Sequence, residues 1–165
     1  TEFRRIGDLT IIVDCYNANP QSVRASLDVL EAQGVAARKV AVLGSMLELC
    51  EASDRLHREI LVEALDRDVD LVVATGAFAE AGAADARLIT GSDWAEAYPL
   101  LRDRLQGDEI ILLKASRGVA LEGILPILEG DFGKQGSGPE RVESGEGPES
   151  SGSRDGSAPA GEAEA

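Results

Sequence analysis

The chain has 165 residues and a formal net charge of −14, a length suited to one domain with an ordinary core. Acidity on this scale argues against nucleic acid as a partner, because phosphates are met by a basic footprint; the lack of an apolar run of about 18 residues excludes a membrane-spanning helix. Two cysteines outside any CxxC pair and a single histidine do not make a structural zinc site, and the thiols read as free in a reducing cytoplasm.

In chain order, Glu2 to Ile6 reads as an edge strand turned back at Gly7-Asp8. Leu9–Val13 is a buried strand. Pro20–Gln33 is a helix: Asn19 is placed to cap it, Pro20 fits the first turn and Gly34 fits the stop. Val23, Leu27 and Leu30 give it one apolar face. Lys39–Leu43 is a strand and Ala52–Asp66 a helix, with Leu56, Ile60, Leu61, Ala64 and Leu65 turned inward. Leu71–Ala74 is a strand, Phe78–Ala84 a short helix and Arg87–Thr90 a short strand. Asp93–Leu105 is a helix capped at Ser92 or Asp93, Glu109–Leu113 a strand and Val119–Leu128 the closing helix.

From residue 131 the composition turns to Gly, Ser, Pro, Glu and Ala. Such a segment cannot bury enough apolar surface to offset its ordering entropy. A body over 1–130 and a disordered acidic tail over 131–165 are therefore expected. No secretory leader is legible. The first residue is Thr, inside what reads as a strand, so a fragment lacking an N-terminal part is expected.

Near-continuous Val, Ile and Leu strands spaced by helices indicate an α/β fold: a Rossmann-like, mostly parallel sheet of about five or six strands with helices on both faces. In such sheets the loops after the strands share one edge, and ligands bind there. Three of those loops carry polar groups of note. DCYNANP, at 14–20, crowds Asp14, Tyr16, Asn17 and Asn19 around a helix N-terminus, which suits a ribose or phosphate-bearing ligand. The competing reading is that Asn19 only caps the helix and Asn17 closes an Asx-turn. LLKASRG, at 112–118, places Lys114, Ser116 and Arg117 past a strand, where they can hold a carboxylate or phosphate or simply pair with surface acids. LGSMLELC, at 43–50, reads as a packed turn with Met46 and Leu47 beneath it and Glu48 free to reach outward. A Cys15–His57 nucleophilic pair is conceivable, but no orienting group or oxyanion hole accompanies it, and the favoured reading of His57 is structural packing or a capping contact. No GxxxxGK[ST] or GxGxxG loop occurs and no carboxylate pair marks a metal site, so this chain alone lacks the equipment to hydrolyse ATP.

DCYNANP at 14–20, VLGSMLEL at 42–49 and LLKASRG at 112–118 together resemble, in order and approximate spacing, the C-terminal domain of the Mur ligases, over roughly residues 1–130. The resemblance implies a three-domain ATP-dependent ligase forming an amide bond, with this chain as the third domain. An N-terminal domain would hold the UDP-sugar substrate. A central domain would hold ATP and Mg2+, with no metal ligand in this chain. The Tyr-Asn-Ala-Asn-Pro string points to the member that joins D-alanyl-D-alanine to UDP-N-acetylmuramoyl-tripeptide in the bacterial cytoplasm. On this resemblance Asp14, Tyr16, Asn17 and Asn19 would face the nucleotide, and Lys114, Ser116 and Arg117 the incoming dipeptide. No catalytic residue would lie here. Three positions depart from the family pattern: Ser45 stands for Asp, Cys50 for Gly, and Ala115 for Gly, the last of which adds a methyl and disfavours positive φ. The alternatives are a non-catalytic α/β binding module with an acidic interaction tail, and the equivalent domain of another amino-acid-adding ligase, a different Mur enzyme or folylpolyglutamate synthase.

Overall fold

The computed structural model describes residues 1–34 and 36–133. Six strands form one sheet: β1 (Glu2–Ile6), β2 (Leu9–Asp14), β3 (Lys39–Leu43), β4 (Leu71–Thr75), β5 (Leu88–Gly91) and β6 (Ile110–Lys114). Their order is β1-β2-β6-β3-β4-β5. Only β1 runs antiparallel; the hairpin pairs Ile6 with Leu9, and Gly7 makes the turn at φ +56. A side chain at Gly7 would run into the Phe132 carbonyl. The helices are α1 (Pro20–Glu31), α2 (Ser53–Leu65), α3 (Ala77–Ala81), α4 (Trp94–Arg104) and α5 (Leu125–Phe132).

Strand pleating sends alternate residues to opposite faces, and the core divides accordingly. Ile11, Val40, Val42, Val73, Ile111 and Leu113 meet Tyr98 and Leu101 of α4 and Leu128 and Phe132 of α5. Ile12, Ala41, Leu43, Val72, Ala74 and Leu112 meet Val23, Leu27 and Leu30 of α1, Ile60, Leu61 and Ala64 of α2, and Phe78 of α3. Strands β3, β4 and β6 are buried at every position, the condition that produced unbroken apolar runs in place of alternation.

Two boundaries differ from expectation. The closing helix is not continuous over Val119–Leu128. Two 3-10 turns, Arg117–Val119 and Leu121–Ile124, flank Ala120 in the left-handed region at φ 52, and the α-helix begins only at Leu125. Pro126 explains the break: without an N–H it suits the first turn of a helix and not its interior. The expected boundary at 131 also falls too early. Asp131 and Phe132 belong to α5; Phe132 is buried, and Asp131 accepts the Tyr98 hydroxyl at 2.7 Å. The remainder of the expected tail, 134–165, lies outside the described residues.

Candidate ligand site at the carboxyl edge of the sheet

β2 ends at Asp14 and β6 at Lys114, and the parallel register sets these two residues side by side. The Lys114 ammonium donates to Asp14 Oδ2 at 2.9 Å and also to the main-chain carbonyl of Asn17. The Ser26 hydroxyl of α1 donates to the same Asp14 oxygen at 2.6 Å. Lys114 is 2% exposed. Partial burial works to raise the Asp14 carboxyl; the Ser26 and Lys114 hydrogen bonds and the Lys114 charge outweigh it and hold the group below its usual range.

Ser116 performs a parallel task one step along. Its Oγ accepts the Leu47 N–H at 3.0 Å and donates to the Ala18 carbonyl at 3.4 Å, and its own N–H reaches the Ser45 carbonyl at 3.2 Å. Asn19 closes a capping box with Ser22: the Ser22 N–H donates to Asn19 Oδ1 at 2.9 Å, and the Asn19 N–H donates to Ser22 Oγ at 3.0 Å. Asp14, Lys114 and Ser116 are thus engaged inside the protein, and Asn19, though exposed, is committed to the helix cap. The structure does bring the two expected residue sets together, with the DCYNANP loop lying directly over the end of β6.

Tyr16, Asn17 and Arg117 remain outward. Tyr16 is 77% exposed, and the Arg117 guanidinium lies 5.7 Å from its ring centroid, within reach of a cation–π contact. Asn17 is exposed. Tyr16 and Arg117 line an open groove of about 430 Å³ with Asp14, Cys15, Glu122 and Leu125. Its lining mixes apolar side chains with both charge signs.

The LGSMLELC loop is held from below by His57, which is fully buried on α2. Its Nε2 accepts the Met46 N–H at 2.9 Å, its Nδ1 lies 2.8 Å from the Ser53 carbonyl, and its ring meets Phe78 edge-on. A nitrogen that accepts from a backbone N–H carries no proton, so the proton sits on Nδ1. Cys15 lies in the core of the α4–α5 face, its Sγ directed at the Leu113 carbonyl at 3.5 Å. Burial pushes its thiol up to about 11. The two residues occupy opposite faces of the sheet and form no nucleophilic pair. Met46 packs beneath the loop as expected, whereas Leu47 is 45% exposed beside Gly118.

The three departures each have a visible consequence. Ser45 Oγ accepts the Ala77 N–H at 3.0 Å and joins the loops after β3 and β4. Cys50 adopts φ 48, a conformation that favours glycine. Ala115 does not adopt positive φ; it is buried instead, with its methyl against Gly44. Among the described residues no three His, Cys, Asp or Glu side chains gather as metal ligands. His57 takes the packing and supporting role that its helical position favours. Ser26 went unrecognised as a support, although it had a signal, a hydroxyl inside the Val23–Leu27–Leu30 stripe.

Residues 1–117 match the family described as Mur ligase, glutamate ligase domain. UDP-N-acetylmuramoyl-tripeptide–D-alanyl-D-alanine ligase of Mycobacterium leprae is 32% identical over 149 residues, covering 77% of this chain and 29% of the relative. The enzyme of the same name from Rickettsia prowazekii is 34% identical over 130 residues, covering 75% and 28%. A crystal structure of MurF from Acinetobacter baumannii superposes with a TM-score of 0.71 at 31% identity, over 78% of this chain and 30% of that one. MurF ligase from Thermotoga maritima in complex with ADP gives 0.68 at 28% identity, over 81% and 31%. The chain spans less than a third of the length of these relatives.

Proposed function

The chain belongs to the Mur ligase family, and on that premise we propose that it serves as the C-terminal domain of a cytoplasmic bacterial ligase that adds D-alanyl-D-alanine to UDP-N-acetylmuramoyl-tripeptide. The carrying observation is the carboxyl-edge surface of Tyr16, Asn17 and Arg117, in a chain about a third identical to ligases of that name. Its partners in this reading are its own N-terminal and central domains. ATP drives the amide formation; it and Mg2+ would be held mainly by the central domain.

The residues of this chain bind and orient. Tyr16 and Asn17 offer a ring and an amide to the nucleotide across the domain cleft. Asp14 supports that face from beneath, and Asn19 fixes the end of the loop through the helix cap. Arg117 presents a guanidinium to the dipeptide carboxylate, a bidentate pairing that a lysine reproduces poorly. Lys114 and Ser116, expected beside it, contribute through the loop and not by contact.

The test is phosphate release by the complete ligase, supplied with UDP-N-acetylmuramoyl-tripeptide, with and without D-alanyl-D-alanine. Release that depends on the dipeptide is expected. Arg117→Ala is expected to raise the dipeptide KM by roughly 10- to 100-fold, the loss of a hydrogen-bonded charge pair, with little change in the KM for ATP. Release indifferent to the dipeptide would overturn the reading.

A further inference from the structure

The loop between β2 and α1 has no regular secondary structure over residues 15–19, yet two successive carbonyls in it are held from below by Lys114, which ends β6, and by Ser116 just past it. Lys114 takes the Asn17 carbonyl and Ser116 takes the Ala18 carbonyl. The capping box then fixes Asn19. Three consecutive residues are therefore pinned through main-chain groups, while the side chains of Tyr16 and Asn17 stay exposed.

A lysine is a costly choice for this place. β6 reads Ile-Ile-Leu-Leu before it, and every residue of that strand is buried. A buried ion pair is a weak source of stability, because desolvation offsets the attraction, and an apolar side chain of similar size often serves as well. Asp14 already has Ser26 as a partner. What an apolar residue cannot supply is a donor to the Asn17 carbonyl. Lys114 is long enough to lie along the sheet edge and reach both acceptors, and Ser116 faces the adjoining peptide.

We propose that Lys114, assisted by Ser116, is a positioning residue that sets the Tyr16–Asn17 loop in the conformation that meets the ATP nucleotide. The proposal rests on the reading of that loop as nucleotide-facing. It assigns Lys114 no contact with any substrate.

The experiment compares Lys114→Met, Ser116→Ala and the double variant Asp14→Asn/Lys114→Met. Melting temperatures are taken on the 165-residue chain, and KM for ATP and for D-alanyl-D-alanine on the complete ligase. Lys114→Met alone leaves a half-buried carboxylate without its cation and is expected to melt lower. The double variant removes both charges and is expected to recover most of the melting temperature. Its KM for ATP is expected to stay raised by about tenfold, since the Asn17 carbonyl still lacks its charged donor, with the dipeptide KM near wild type. Ser116→Ala is expected to raise the KM for ATP in the same direction by a smaller factor.

Recovery of both melting temperature and KM in the double variant would show that Lys114 merely neutralises Asp14, and would overturn the proposal. Asn17→Ala and Tyr16→Ala separate this failure from that of the underlying reading. If neither changes the KM for ATP, the loop does not meet the nucleotide and both statements fall. If either raises it while the double variant behaves as wild type, only the positioning role falls.

Discussion

Cys50 is an exposed side chain held at φ 48, where its Cβ crowds the backbone and glycine does not. Cys50→Gly removes that strain, set against the greater freedom of glycine in the unfolded chain. A net stabilisation of roughly 0.5–1 kcal/mol is expected, read as a higher urea midpoint at unchanged slope. Asp14 makes a different residue-scale prediction. Its carboxyl sits below its unfolded value, so its contribution is fully present above pH of about 4 and is lost as pH falls through the lower folded value. Stability of the wild type measured from pH 6 to pH 2.5 is expected to include this loss. Asp14→Asn cannot titrate there, so its profile is expected to be flatter over the same window. Equal slopes would show that the Ser26 and Lys114 contacts do not favour the ionised form.

Elements at the carboxyl edge are tied together by short polar side chains and by one close approach of backbone. Gly44 follows β3 and Ala115 follows β6. A Cβ at Gly44 would come within 2.7 Å of the Ala115 methyl and 3.0 Å of Val119 Cγ1. Gly44→Ala is therefore expected to cost about 1–3 kcal/mol by overpacking, and Ala115→Gly in the same chain to recover part of it. Denaturant midpoints of the four variants in a double-mutant cycle measure this coupling. Additive effects would show that the two loops adjust independently. The strand and helix positions themselves were legible in the sequence, because runs such as Lys39–Leu43 and stripes such as Val23–Leu27–Leu30 carry the periods of strand and helix. The segment 117–125 was less legible: its apolar spacing suits a helix, while Pro126 and the left-handed Ala120 divide it.

For the whole molecule, α5 closes the core face that α4 opens. Asp131 accepts from Tyr98 at 2.7 Å and lies 3.0 Å from Arg102 Nε, and Phe132 is 8% exposed. A chain ending at Gly130 is expected to be less stable than one ending at Gly133 by about 2–3 kcal/mol, the burial of one large apolar side chain. Comparing the two melting curves checks this, and coincident curves would place the end of the folded body at 130.

The sequence by itself determined the α/β class, the strands and helices in order, and the edge of the sheet at which polar loops gather. Hydrophobic period and turn chemistry are local properties, and parallel strands all deliver their following loops to the same side. Only the tertiary structure decided which of those polar residues face outward. Asp14 and Lys114 are 100 residues apart in the chain, and they meet because β6 inserts between β2 and β3. Pairing between parallel strands is non-local and leaves no trace in residue spacing. A lysine at the end of a strand can face solvent or lie buried; the neighbouring strand, and the loop laid over it, buried this one against Asp14 and left Arg117 exposed.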